Sequence, residues 1–167
     1  YALVDRAVAG GALWVNAAGN AGDSGWTGAW SDADNDGWLD FAPGDEIDSM
    51  TLAADADVTV AIRWADTWGA SANNYDLELY SGSTRVASST DVQAGAGDPF
   101  EVIEYRAPTS GTYDIKIRRV SAAPTGRMQL LVGTSDDVEL THQVVEGTLP
   151  TPADSATPHR PHVPSCF

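Results

Sequence analysis

Between residues 47 and 141 apolar side chains recur at every second position, and a chain patterned in this way buries them only as strands. Val58, Val60, Ile62 and Trp64 alternate with Thr59, Ala61 and Arg63. Leu77 and Leu79 alternate with Asp76, Glu78 and Tyr80, and Val102 and Ile103 sit in the run 100–107. Tyr113, Ile115 and Ile117 alternate with Asp114, Lys116 and Arg118; Met128, Leu130 and Val132 alternate with Gln129 and Leu131. A period of two sends one row of side chains inward and leaves the other wet. Clusters of Gly, Pro, Ser, Asn and Asp separate the runs, the spacing of an antiparallel β-sandwich. The expected fold class is mainly β, a jelly-roll-like sandwich over 47–146 with seven strands, or eight if 138–146 is one.

The flanking segments are patterned differently. In residues 1–9, Leu3, Val4, Ala7 and Val8 form one helical stripe, and Gly10 and Gly11 follow as a glycine stop. Ala12-Leu13-Trp14-Val15-Asn16 then reads as a strand buried on both faces. Residues 1–22 are therefore expected to be a helix–strand piece of an α/β core, too small to stand alone. Residues 23–46 lose periodicity and read as an acidic loop rich in Trp and Gly. Residues 147–167 carry Pro150, Pro152, Pro158, Pro161 and Pro164 and are expected to lack regular structure. With Tyr at position 1 and no charged-then-apolar signal segment ahead of the first structured stretch, the expectation is a piece of a longer chain.

Charge narrows the partners. The 24 acidic side chains against 9 basic ones give a formal −15, and Lys116 is the only lysine. Such a surface repels phosphate backbones and anionic lipid, which argues against nucleic-acid and membrane-surface binding. No apolar run approaches the roughly 18 residues of a membrane span. Cys166 is the only cysteine, so no intrachain disulfide holds the fold. Cations are the natural partners, Ca²⁺ first because it prefers carboxylate oxygen. Solubility in a salty or extracellular medium accounts for the same charge without a specific ion.

The segment Asp32-Ala33-Asp34-Asn35-Asp36-Gly37-Trp38-Leu39-Asp40 puts carboxylates at loop positions 1, 3, 5 and 9, with glycine at 6. Alternate residues of a tight loop point inward together, and Ca²⁺ takes six to eight oxygens at about 2.3–2.6 Å. Asp32, Asp34 and Asp36 are the candidate ligands, with the Trp38 carbonyl next and Asp40 closing the site. Pro43 occupies position 12, so the loop is not an EF-hand. The competing reading is a solvated loop on an Asn-Asp-Gly turn. Asp66, Asp76 and Asp98 would make a second cation cluster if their strand ends met at one rim; polar turns are the simpler reading. Trp26, Trp30, Trp38 and Trp68 fall in loops and are expected to pack over the end of the sandwich, the other reading being a binding face for polymer or protein.

Two stretches resemble known families. Val4 through Gly22, with Gly10-Gly11, Ala12-Leu13-Trp14-Val15 and Ala17-Ala18-Gly19-Asn20, resembles the subtilisin-like serine proteases, and Thr151-Pro152-Ala153-Asp154-Ser155 is similar to a later run of that family. The resemblance implies that Asn20 is an oxyanion-hole donor; the plain alternative is an asparagine capping a turn. Between the two stretches, Val60-Ala61-Ile62-Arg63-Trp64, Asn74-Tyr75-Asp76-Leu77-Glu78-Leu79-Tyr80 and Pro108-Thr109-Ser110-Gly111-Thr112-Tyr113-Asp114-Ile115 resemble the bacterial pre-peptidase C-terminal (PPC) sandwich. Together they imply part of a secreted endopeptidase acting on polypeptides, with an inserted accessory sandwich. The chain lacks the family's catalytic Asp, His and Ser motifs. Gly133-Thr134-Ser135 spells the start of the serine motif, but Asp136 and Asp137 come directly after it, and charges there oppose a developing oxyanion. The chain alone is therefore not expected to cleave peptides. The alternative from another class is a non-catalytic, calcium-binding extracellular module for protein or polysaccharide.

Overall fold

The computed structural model of the protein describes residues 24–121, 127–134 and 138–143, together with residues 6 and 8–11. Eight strands run in the order β1 (Gly25–Ala29), β2 (Asp48–Leu52), β3 (Asp57–Trp64), β4 (Asn74–Ser81), β5 (Thr84–Ser89), β6 (Phe100–Arg106), β7 (Gly111–Ser121) and β8 (Arg127–Thr134). They form two four-stranded sheets, β1-β8-β3-β6 and β2-β7-β4-β5, in which every pair is antiparallel. The chain is a mainly β sandwich, as the alternation requires.

The inward rows are the ones the period of two selects. Val58, Val60, Ile62 and Trp64 of β3 face Tyr75, Leu77 and Leu79 of β4 and Tyr113, Ile115 and Ile117 of β7 in one buried cluster. Met128, Leu130 and Val132 of β8 and Met50 and Leu52 of β2 complete it. Trp64 and Tyr75 meet edge to face at 5.1 Å, a geometry that suits the ring quadrupoles. Between Ser81 and Thr84 the β4–β5 hairpin turns on Gly82 and Ser83, with Gly82 at φ 58°. A glycine in the first of two loop positions allows the turn whose twist matches its strands.

Two expectations need correction. The segment 23–46 is not wholly loop: Gly25–Ala29 forms β1 and pairs with β8 in the register Gly25↔Leu131 to Ala29↔Arg127. Trp26 on this strand is a core residue, donating its indole N–H to the Phe41 carbonyl at 3.3 Å. Residues 138–143, in turn, are not a strand. They cross the side of the sandwich between β1 and β2, with Val138 and Leu140 buried. The alternation there does turn its apolar side chains inward, but the backbone finds no strand to ladder with.

At the N-terminal end, residues 6, 8 and 9 have helical backbone, Gly10 N–H donates to the Arg6 carbonyl at 3.0 Å, and Gly11 takes φ 83°. The rest of the expected helix, the strand at 12–16, Asn20, Ser135 and the tail from 147 lie outside the described residues.

If β1 belongs to the core, Trp26→Ala lowers stability by about 3–5 kcal/mol, the usual range for removing a large core aromatic. Urea denaturation measures this; a midpoint unchanged from the parent would return 25–29 to the loop.

Candidate cation site and its surroundings

The acidic loop is held against β7. Leu39, fully buried, donates its N–H to the Ile117 carbonyl at 2.9 Å, and Arg119 N–H donates to the Gly37 carbonyl at 2.8 Å. These bonds flank the antiparallel bridge Trp38↔Arg118 and fix the far end of the loop. Leading up to them, Asn35 at φ 61° and Gly37 at φ 93° make the two left-handed turns that fold residues 32–37 tightly. Asn tolerates that region and glycine enters it without strain, so the Asn-Asp-Gly sequence dictates the turn.

Folding the loop brings the carboxylate oxygens of Asp32, Asp34 and Asp36 within 4.8 Å of one another. The three side chains are not equivalent. Asp34 and Asp36 are exposed, whereas the Asp32 side chain is 2% exposed. Asp32 Oδ1 accepts the Asp36 N–H at 3.1 Å; Oδ2 accepts the Gly37 N–H at 3.2 Å and the Arg119 guanidinium at 3.0 Å. A carboxylate oxygen has two lone pairs, so Oδ1 retains one for a cation while Oδ2 is fully used. Asp36 Oδ1 accepts the Trp38 N–H at 3.0 Å.

Asp40 is not brought into this group. Its Oδ2 accepts Ala33 N–H at 2.9 Å and Ser31 Oγ–H at 3.3 Å, and its own N–H donates to the Ser31 carbonyl at 2.8 Å. It closes the neck of the loop. The Trp38 ring lies under Lys116, whose Nζ is 4.2 Å from the ring centroid and 2.9 Å from Glu46. Arg119, which no motif or spacing singles out, is the cation that first answers the loop's repulsion. It stacks on Trp30 at 5.3 Å while bonding Asp32. Charge-rich spacing announces that something must neutralise 32–36, and only the fold shows that a β7 side chain does part of it.

Asp66, Asp76 and Asp98 are spent separately. Burial pushes the Asp66 carboxyl up, but hydrogen bonds from Asn73, Ser71 and Ala72 outweigh it and hold the group below the usual carboxylate range. Asp98 accepts the Gly69 N–H at 2.9 Å. Asp76 lies on β4, where burial and then Glu78 raise its pKa. Among the described residues only Asp32, Asp34 and Asp36 converge as a group of three metal-type ligands.

No family model matches the chain, and no curated protein matches it. Among solved structures, the pre-peptidase C-terminal domain of a collagenase from Bacillus anthracis is similar, at 13% identity and a TM-score of 0.43 over 66% of this chain and 89% of that one. At that distance no residue role passes from one chain to the other.

The inequality of the three carboxylates has a measurable consequence. Asp32→Ala strips two backbone donors and Arg119 of their acceptor and costs about 1–3 kcal/mol in metal-free buffer. Asp34→Ala leaves the melt in EDTA unchanged. Equal losses in the two variants would show that the loop is not built around Asp32.

Proposed function

We propose that the sandwich is an accessory domain inserted in a secreted subtilisin-like serine endopeptidase, which this chain also supplies with an oxyanion-hole segment at Asn20. One structural observation supports insertion above the others. The chain enters the sandwich and passes back out side by side: Ser24 accepts the Val132 N–H at 2.8 Å and donates its Oγ–H to the Val138 carbonyl at 3.2 Å. A domain whose ends lie together fits into a loop of another domain without straining it. On either side lie the two stretches that resemble the subtilisin-like family, Ala17-Ala18-Gly19-Asn20 before and Thr151-Pro152-Ala153 after.

In this reading the Asn20 side-chain amide donates to the oxyanion of the tetrahedral intermediate, and the nucleophile, base and orienting acid come from elsewhere in the enzyme. The purified chain is then inert toward casein. The coding sequence around it supplies Asp and His motifs ahead of residue 1 and a Gly-Thr-Ser-Met motif beyond residue 167. In the resulting peptidase Asn20→Ala lowers kcat by about 10²–10³ with little change in KM. Flanking sequence without those motifs, or an unchanged kcat, would overturn the reading.

The convergence of Asp32, Asp34 and Asp36 favours a second property, compatible with the first or with a free-standing extracellular module that binds protein or polysaccharide. The loop takes Ca²⁺ through Asp32 Oδ1 and the exposed carboxylates of Asp34 and Asp36. An ion bound only to the native state raises Tm with its concentration. Melts in excess Ca²⁺ against EDTA are expected to differ, and Asp34→Ala and Asp36→Ala to abolish the difference. No shift at millimolar Ca²⁺ would leave the loop as surface charge held by Arg119.

A further inference from the structure

The segment 138–143 is anchored to β2 through one buried carboxylate. Asp48, the first residue of β2, faces inward and is 0% exposed. Its Oδ1 accepts the His142 N–H at 2.8 Å, while its Oδ2 is buried without a hydrogen-bond partner. Around that bond Thr141 donates its N–H (3.0 Å) and its hydroxyl (3.2 Å) to the Ser49 carbonyl. The His142 ring lies parallel to Phe41 and its Nε2 is 3.0 Å from Asp45 Oδ2. Val138 and Leu140 fill the core beneath, where Trp26 and Phe41 meet edge to face at 5.2 Å.

We propose that residues 138–143 act as a pH-responsive strap over the β1–β2 side of the sandwich, held most firmly in acid solution and opening more readily as the solution approaches neutrality.

The direction follows from where Asp48 keeps its proton. Burial raises its pKa from 3.8 to about 6 despite the opposing hydrogen bond from His142. In the closed state the ionised carboxylate is poorly solvated and one oxygen is unanswered; release of the strap returns it to water. The closed state therefore binds the proton more tightly, and its advantage falls as pH rises from 3.8 through 6. Of the groups facing this site, the Asp45 charge adds to the effect of burial on Asp48, whereas His142, through its N–H and its charge, and the Thr141 N–H oppose it without outweighing it. From the 41–47 segment come Asp45 and Glu46. The hydrogen bond to His142 holds Asp45 below the usual carboxylate range, so it stays ionised over the range in which Asp48 titrates. Glu46 is paired with Lys116 of β7, and Asp114 of β7 is bonded to the Ser49 hydroxyl. From the strap itself come His142 and Glu139, the latter bonded to Gln143; β1 contributes no charged side chain. The inference stands independently of the peptidase reading.

Residue-resolved amide exchange on the whole chain at pH 5 and pH 8, corrected for intrinsic rates, tests it. With Asp48 at 3.8 when open and about 6 when closed, linkage gives about ten-fold more opening of Thr141 and His142 at pH 8 than at pH 5. Asp48→Asn is expected to flatten that dependence. A ten-fold change shared by core amides such as Val60 would mean global unfolding and overturn the strap, as would equal protection at both pH values or a dependence surviving in Asp48→Asn. The unsubstituted protein gives an independent check: the Asp48 side-chain carboxyl carbon shift should titrate with a midpoint of about 6, and a midpoint at the ordinary 3.8 would overturn the proposal.

Discussion

Two sheets that bury one face each against the other leave two open sides, and the molecule depends on how those sides are closed. In the orders β1-β8-β3-β6 and β2-β7-β4-β5 the exposed seams run between β1 and β2 and between β6 and β5. Apolar rows alone do not seal them, because edge strands present unpaired backbone groups. Each seam is sealed around an inward carboxylate. At β6 it is Glu101, which accepts hydrogen bonds from Ser89 at the end of β5, from the Gln93 amide at 2.7 Å and from the Asp91 N–H. At β2 it is Asp48 under residues 138–143. Burial raises the pKa of both groups, as the desolvation of a carboxylate must. Charge is expensive in such places, and what it brings is direction: a carboxylate fixes which N–H groups sit over the seam, where an apolar side chain would accept several packings.

The same logic governs the basic residues. In a chain this acidic, three cations of the second sheet are paired with carboxylates: Arg85 meets buried Glu78, Lys116 meets Glu46 and the Trp38 ring, and Arg119 meets Asp32 and the Trp30 ring. Arg119 matters most because Asp32 also carries two backbone bonds of the loop. Loop geometry and electrostatics are therefore coupled. The turn places three carboxylates together, the Arg119 guanidinium compensates the one that is buried, and the two left in solvent keep their acceptor capacity. That arrangement makes Asp32 the carboxylate that holds the loop's shape, while Asp36 accepts one backbone N–H and Asp34 and Asp36 stay in solvent.

How much of this was legible depends on whether the deciding interaction is local. The inward rows of β3, β4, β7 and β8 were readable because a period of two is a local property and both partners of each pair display it. β1 was not: Gly-Trp-Thr-Gly-Ala has no alternation, and it becomes a strand because β8, far along the chain, offers an edge and Trp26 a place in the core. Residues 138–143 failed in the opposite way, since Val138 and Leu140 have the right period while the backbone makes a single N–H bond to Ser49 instead of a ladder. In the acidic loop, the convergence of Asp32, Asp34 and Asp36 was visible in their spacing around Gly37. The loss of Asp40 was not, because spacing does not say which carboxylate will take the N–H of Ala33. Arg119 was invisible for the same reason as β1: its role is created by a distant pairing.

At one corner of the molecule the seam, the strap and the chain's entry point meet. Ser24, where the chain comes in, is bonded both to β8 and to Val138, the first residue of the strap. The strap then runs on to β2 and leaves the described fold at Gln143. Folding of the sandwich fixes the entry through the Val132 N–H bond to the Ser24 carbonyl, and with the strap closed the Ser24 hydroxyl also holds the exit at residue 138. Closure of the strap adds a second tie, from Thr141 and His142 to β2, that extends the fixed region by a few residues. The geometry of this corner is thus set first by β1–β8 pairing and then by the hydrogen bonds that Asp48 and Ser49 make with the strap.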